Sequence, residues 1–294
     1  MVLDAQPLET CLRILILSDG KIGHLNQSIA FAKLKGLEYD LLELPKRVKE
    51  VTYLLDFLHI YINFFSLHVE RKRYKAIVST GSYTYYANKY LSKKLGIKSI
   101  AIMLPKGFRY SEFDYIIASN HDNPPKLKNI ISLPLSLSVS EPKGYIKKDT
   151  KDAVGIIIGG NNSVFEMNTE TIQTCLDGIF EKFPHHLKYI TTSRRTPKEI
   201  DELLKSYKFD YEIIYSKNPN INPIPDFLEI CKKLFITIDS TSMLSEARAN
   251  SDADIEIIEL KSKKKDTKFH TLAKTVQSIK GRFDFSPYLE KIEI

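Results

Sequence analysis

Cysteine is scarce in this chain. The three residues Cys11, Cys175 and Cys231 are odd in number and lack metal-ligand spacing, which argues against a disulfide framework and for a reducing compartment. Long apolar runs are missing as well. Leu12 to Leu17 is too short for the apolar core of a secretory signal, and no cleavage-like site follows it. No low-complexity tract argues for extended disorder. Zinc-finger spacing, a compact basic helix and an aromatic RNA-binding signature are all absent, so nucleic acid is not the expected partner. The glycines miss the dinucleotide fingerprint, and Gly20-Lys21-Ile22-Gly23 has neither the spacing nor the Lys-Ser or Lys-Thr ending of a nucleotide phosphate loop. A cytoplasmic protein is expected, with or without peripheral attachment at the inner face of a membrane.

What is present is ample core material, 43% hydrophobic and 11% aromatic residues in 294 positions. That length suits two domains of roughly 130 to 150 residues each. The expected division is residues 1–140, 141–280 and a tail over 281–294. Charge is uneven: residues 1–150 carry 22 Lys and Arg against 14 Asp and Glu, and residues 151–294 carry 21 against 22. The basic first half is expected to face something anionic, a phospholipid surface or an acidic substrate.

Along the chain, short apolar runs alternate with helical patterns, which is the signature of an α/β protein with parallel sheets. In the first half the run Leu12 to Leu17 leads into the loop Ser18 to His24, and a helical pattern starts at Leu25. Ala76 to Thr80 leads into Gly81-Ser82-Tyr83, and Tyr115 to Ala118 into Asn120-His121-Asp122. An apolar run over Ile130 to Leu137 then closes the domain. His121 and Asp122 stand at a strand end, as cleft residues or as a capped turn. In the second half Ala153 to Ile158 ends in Gly159-Gly160-Asn161-Asn162, where glycines either admit a phosphate or make a tight turn. Ser193-Arg194-Arg195 follows the next strand, and paired guanidinium forks suit a diphosphate or cap the following helix. Phe235 to Ile238 breaks into Asp239-Ser240-Thr241-Ser242-Met243 and then a helix carrying Glu246. Ser240 and Thr241 are good N-cap types, so this turn is either an anion seat with a ribose-binding carboxylate beyond it or an ordinary capped helix. Asp252-Ala253-Asp254 has the look of an acidic metal triplet, but reads better as a solvated turn.

Residues 51–69 form the most unusual stretch. Tyr53, Leu54, Phe57, Leu58, Tyr61, Phe64, Phe65 and His68 recur at helical spacing between the basic clusters Lys46-Arg47-Val48-Lys49 and Arg71-Lys72-Arg73-Tyr74-Lys75. A helix of that extent would be about 28 Å long. Asp56, His59 and Asn63 argue against crossing a bilayer, leaving a helix packed on its own sheet or one lying on a membrane or partner.

Ser18 to Ser28, Phe113-Asp114 with His121-Asp122, Gly159-Gly160, Thr191 to Pro197 and Asp239 to Ala247 occur in this order over nearly the whole chain. Together they resemble the mitochondrial-fission Elm family and its bacterial relatives. That family is in turn similar to the GT-B glycosyltransferases, and especially to the lipid-linked peptidoglycan N-acetylglucosaminyltransferase. The resemblance implies two Rossmann-like domains facing each other across a cleft. It implies acceptor-side positions Gly23, Asn26, Gln27, Gly81, Ser82, His121 and Asp122. On the donor side it implies Gly159, Gly160, Asn161, Ser193, Arg194, Arg195, Ser240, Thr241, Ser242, Met243 and Glu246, with Glu246 on the ribose and the arginines neutralising the leaving group. His24 is the leading general base and Asp19 the alternative. Where relatives have a Gly and Pro turn after the Glu helix, this chain has Asn250 to Asp254.

The activity so implied is a metal-independent glycosyltransferase, without cofactor or metal, moving a sugar from a nucleotide-activated donor to an acceptor at a membrane surface or in the cell envelope. A membrane-associated scaffold or division factor without catalysis is the competing expectation. An epimerase that removes the nucleotide stands third.

Overall fold

Nearly unbroken Ile, Leu and Val runs suit strands that are covered on both faces, and in parallel sheets helices supply the cover. The computed structural model bears this out; it describes residues 13–70, 74–147, 152–265 and 267–294. The chain divides into two compact units, one of Met1–Leu133 with Phe285–Ile294 and one of Pro134–Asp284. Against the expected domains, 134–140 therefore belongs to the second unit and the end of the chain to the first.

In the first unit the strands are β1 (Arg13–Ser18), β2 (Glu38–Glu43), β3 (Ala76–Thr80), β4 (Lys98–Ile102), β5 (Tyr115–Ser119) and β6 (Ile130–Leu133). They form one parallel sheet in the order β2-β1-β3-β4-β5-β6. Helices α1 (Ile22–Leu34), α2 (Lys49–Phe57) and α3 (Tyr85–Leu95) connect them. The winding reverses between β1 and β3, so the loops leaving these two strands part at that point. Pro134 ends β6 early, since a proline cannot donate to the ladder.

The second unit continues with β7 (Ala153–Ile157), β8 (Phe165–Glu166), β9 (Leu187–Thr191), β10 (Tyr211–Ile213), β11 (Lys233–Thr237), β12 (Asp254–Ile258) and β13 (Lys261–Ser262). Five of these make a parallel sheet in the order β10-β9-β7-β11-β12, while β8 and β13 pair as a short antiparallel ribbon. Its helices are α4 (Thr169–Lys182), α5 (Lys198–Leu204), α6 (Ile224–Ile230), α7 (Thr241–Asn250) and α8 (Lys268–Ser278). Here the reversal lies between β7 and β11.

The end of the chain forms α9 (Ser286–Leu289) and packs on the first unit through Leu289 and Ile292, which are 2% and 1% exposed. Lys35 Nζ, at the end of α1, donates to the carbonyls of Leu289 at 3.2 Å and Ile292 at 3.0 Å and so ties down the end of the chain.

The long helix expected over 51–69 does not form. Helix α2 stops at Phe57, because the side chains beyond it bond to positions no continuing helix could reach. Asp56, 1% exposed, accepts from Lys89 Nζ at 2.7 Å, the Tyr61 hydroxyl at 3.0 Å and the Arg109 amide at 3.0 Å. The Tyr86 hydroxyl donates to the Ile60 carbonyl at 3.0 Å and accepts the Ile62 amide at 3.0 Å. Asn63 folds the chain back on Leu67 with two bonds, and His59 and Ser66 take left-handed backbone angles. Phe64 and Phe65 pack inward, Phe65 being 3% exposed, whereas Leu54, Phe57, Leu58 and Ile62 remain at the surface, Phe57 at 70%. Arg71, Lys72 and Arg73 lie outside the described residues. Among the described residues no helix is long and apolar enough to cross a membrane.

Lys89 and Asp56 have side chains 0% and 1% exposed, and the ammonium also faces the rings of Phe108 and Phe113. Burial pulls the lysine below its ordinary range against the pull of Asp56. Lys89→Met strands a buried carboxylate and is expected to cost about 3 to 5 kcal/mol in urea unfolding. A loss below about 1 kcal/mol would show that the pair does not hold α2 in place.

Candidate functional site

Loops at a reversal of strand order diverge and leave room for side chains at the carboxyl edge of the sheet, which is where open α/β sheets bind ligands. In the first unit this point is occupied by Asp19 and His24. Gly20 turns the chain at φ +77°, so that α1 begins at Ile22 and brings Gly23 and His24 into its first turn rather than into a loop. The Ser18 hydroxyl accepts the Gly20 amide and Asp19 Oδ1 accepts the Lys21 amide. Asp19 Oδ2 lies 2.9 Å from His24 Nδ1. A carboxylate only accepts, so Nδ1 carries the hydrogen and Nε2 is left as the basic nitrogen. The two side chains are 4% and 23% exposed.

Gly81, at the end of β3, is required by the imidazole. A Cβ there would stand 2.3 Å from His24 Nδ1, and its φ of +89° is left-handed as well. Thr80 and Ser28, hydroxyl to hydroxyl at 2.7 Å, fasten β3 to α1 just beneath. Ser82 is half-buried beside this turn, Asn26 is exposed on α1 and Gln27 half-buried. His121 and Asp122 sit in a 3-10 turn after β5, with His121 buried. They share the carboxyl edge with the Asp19–His24 pair but lie two strands beyond β3.

In the second unit the turns after β7, β9 and β11 meet at the reversal. Gly159 donates to Thr237 Oγ1 at 2.7 Å, Gly160 to Asp239 Oδ2 at 3.0 Å, Asn161 to the Arg195 carbonyl at 3.2 Å and Asn162 to the Phe165 carbonyl at 3.1 Å. Four successive amides of the glycine turn are thus spent inside the protein. Both glycines have internal reasons too: a Cβ at Gly159 would fall 2.1 Å from Asp239 Oδ1, and one at Gly160 2.1 Å from the Arg195 carbonyl oxygen.

The two arginines separate. Arg195 Nη2 donates to Asp239 Oδ2 at 2.6 Å and its Nη1 to the carbonyls of Gly160 and Asn161, while Asp239 is wholly buried. Ser193 and Thr196 both donate to the Gly159 carbonyl. Arg194 is exposed and, among the described residues, in no hydrogen bond or ion pair. Sequence reasoning missed Asp239. Its position before the Ser240 cap was visible, but nothing local pointed to Arg195, 44 residues away.

Helix α7 starts as its capping residues predict, Ser240 Oγ accepting the Met243 amide at 3.3 Å. Met243 turns its side chain to the core. The Thr241 and Ser242 amides have no acceptor among the described residues and stand at the positive end of the helix dipole. Glu246 lies further along, half-buried. Burial pushes its carboxyl above the usual range, and the Ser140 hydroxyl, donating to Oε1 at 2.9 Å, pulls it back. Among the described residues no cluster of three or more His, Cys, Asp or Glu could hold a metal ion. Asp252 and Asp254 are paired instead with Arg282 and Lys233.

A sequence profile of the mitochondrial fission ELM1 family matches residues 23–288. The chain belongs to that family. No curated protein matches it by sequence. Among solved structures, the glycotransferase of kitacinnamycin is 12% identical over 93% of this chain and 86% of its own, at a TM-score of 0.51. MurG of Acinetobacter baumannii is 12% identical over 90% and 83%, at 0.45. UDP-GlcNAc 2-epimerase of Neisseria meningitidis, solved with UDP-GlcNAc, is 9% identical over 95% and 93%, at 0.46. This ELM1-family chain therefore has the GT-B type of fold, built from two Rossmann-like domains.

The arginines make opposite predictions. Arg195→Ala leaves the Asp239 carboxylate buried without its cation and is expected to destabilise by about 1 to 3 kcal/mol or more. Arg194→Ala is expected to stay within about 0.5 kcal/mol of the parent. Thermal unfolding of the two variants side by side checks the assignment, which fails if Arg194→Ala proves the less stable.

Proposed function

We propose that this ELM1-family protein is a metal-independent glycosyltransferase that moves a sugar from a nucleotide-activated donor to a hydroxyl of an acceptor at a membrane surface. The observation that carries the reading is the His24–Asp19 pair at 2.9 Å, held at the reversal of the first sheet and packed against Gly81. An imidazole whose Nδ1 is anchored on a carboxylate can take an acceptor hydroxyl proton at Nε2, and the imidazolium formed is stabilised by Asp19. The freed oxygen bonds to the anomeric carbon of the sugar. The bond from that carbon to the donor diphosphate breaks, and its electron pair leaves with the nucleoside diphosphate. The Thr241 and Ser242 amides with Arg194 would take up the charge, and Glu246 the ribose hydroxyls. The shared fold with a glycosyltransferase supports the reaction class.

Attachment to an anionic membrane is part of the same proposal. Leu54, Phe57, Leu58 and Ile62 are exposed, Lys46, Arg47 and Lys49 precede them in the chain, and the first half carries a basic excess. Fully burying each such side chain contributes roughly 1.5 to 3 kcal/mol, and the cations add attraction to anionic headgroups. Because these side chains are exposed, replacing Leu54, Phe57 and Leu58 by Ser is expected to leave folding intact and to abolish cosedimentation with phosphatidylglycerol liposomes. Unchanged sedimentation of the folded variant would remove the membrane from the proposal.

A specific observation favours a second reading, a scaffold on the same fold. The amides of the glycine turn are spent internally and Arg195 is tied to Asp239, so fewer donors remain for a diphosphate. Melting curves with uridine, guanosine and cytidine diphosphates separate the two. Binding at 100 Kd stabilises by about 2.7 kcal/mol, and no shift with any of them would favour the scaffold. For the enzyme, His24→Asn is expected to lower turnover about 10²- to 10⁴-fold with nucleotide binding retained. Chelation with EDTA is expected to change neither.

A further inference from the structure

The segment that leaves the first sheet runs along the helix that carries Glu246. Leu135 and Leu137 are 0% and 3% exposed, so alternate residues of this extended stretch anchor it in the core. The intervening serines face α7. The Ser136 amide donates to Ser245 Oγ at 3.2 Å, Asn250 Nδ2 donates to Ser138 Oγ at 3.2 Å, and the Ser140 amide donates to Asn250 Oδ1 at 2.8 Å. Asn250 Nδ2 also reaches the Glu246 carbonyl at 2.8 Å. Further on, Asp226 accepts the amides of Lys143, Gly144 and Tyr145. The segment is thereby fixed at both ends, and the one hydrogen of the Ser140 hydroxyl goes to Glu246 Oε1 at 2.9 Å. No hydrogen bond engages Oε2 among the described residues.

We infer that Ser140 is a positioning residue: it holds the Glu246 carboxylate by one oxygen and leaves the other turned out to accept a ribose hydroxyl. This rests on the reading of Glu246 as the ribose-binding group. A glutamate side chain has three rotatable bonds, and fixing one oxygen spares the ligand the cost of ordering it. Ser140 also opposes the upward push that burial exerts on the carboxyl. The titratable groups on the helices packed against α7 are Asp226 and Glu229 on α6 and Lys268, His270 and Lys274 on α8, with Arg248 on α7 itself. Glu141 and Lys143 stand on the segment itself, and at the carboxyl burial and the Ser140 hydroxyl oppose each other.

The test uses the full chain and calorimetric titration between pH 5 and pH 8 with whichever nucleoside diphosphate raises the melting temperature of the parent. Inorganic pyrophosphate, which has the phosphates without the ribose, serves as control. Ser140→Ala is expected to weaken the nucleoside diphosphate about tenfold at pH 7 and to move the loss of binding on acidification to higher pH, because burial then acts on the carboxyl unopposed. Ser140→Thr restores both, and pyrophosphate binds parent and variant alike. In a Glu246→Gln background Ser140→Ala has no further effect. Equal affinity and equal pH profile for parent and Ser140→Ala would overturn the inference alone, as would a matching loss for pyrophosphate. Failure of the parent to bind any nucleoside diphosphate would overturn the functional reading and this inference with it.

Discussion

A parallel sheet wound outward in both directions from its first strand parts its loops at a single place, and each half of this protein is built around that constraint. Between β1 and β3, and again between β7 and β11, the chain leaves neighbouring strands in opposite directions. Side chains from loops distant in sequence meet there without competing for space with a crossing connection. His24 against Gly81 and Arg195 on Asp239 are the two products. They join turns 57 and 44 residues apart and make the carboxyl edges rigid.

Rigidity and ligand binding draw on the same groups, and the two units divide them differently. In the first, Asp19 spends its oxygens on the Lys21 amide and on His24 Nδ1, which leaves an imidazole nitrogen free of that network. In the second, the glycine turn spends its amides on Thr237, Asp239, Arg195 and Phe165, and the cation beside it neutralises a buried carboxylate. What remains open is the start of α7, Arg194 and one oxygen of Glu246. An anion arriving there would meet a helix terminus and one exposed cation, a smaller set of donors than the motifs suggest in isolation.

The buried Lys89–Asp56 pair governs the surface of the first unit in a comparable way. By drawing Asp56 inward it ends α2 after nine residues, and the chain that follows is pinned by Tyr86 and Asn63. The aromatic residues of one helical pattern then part company. Phe64 and Phe65 join the core, while Phe57 stays at the surface with Leu54 and Leu58. A stripe that looks continuous when written out is thus half core and half exposed face.

The amino-acid order by itself determined the strand and helix alternation, the restart of the pattern near Ala153 and the Ser240 cap of α7, because these depend on apolar periodicity and on bonds spanning three or four residues. It also singled out Asp19 and His24, five residues apart, as alternatives for one role, while the bond between them came with the fold. Only the tertiary structure decided that Gly159 and Gly160 accommodate Asp239 and Arg195, that the 51–69 pattern breaks at Phe57, and that Ser140 holds Glu246, 106 residues further along the chain. Those outcomes turn on hydrogen bonds and ion pairs between segments far apart along the chain. Residue type shows that a partner is required, and only the packed sheets show which one is in reach.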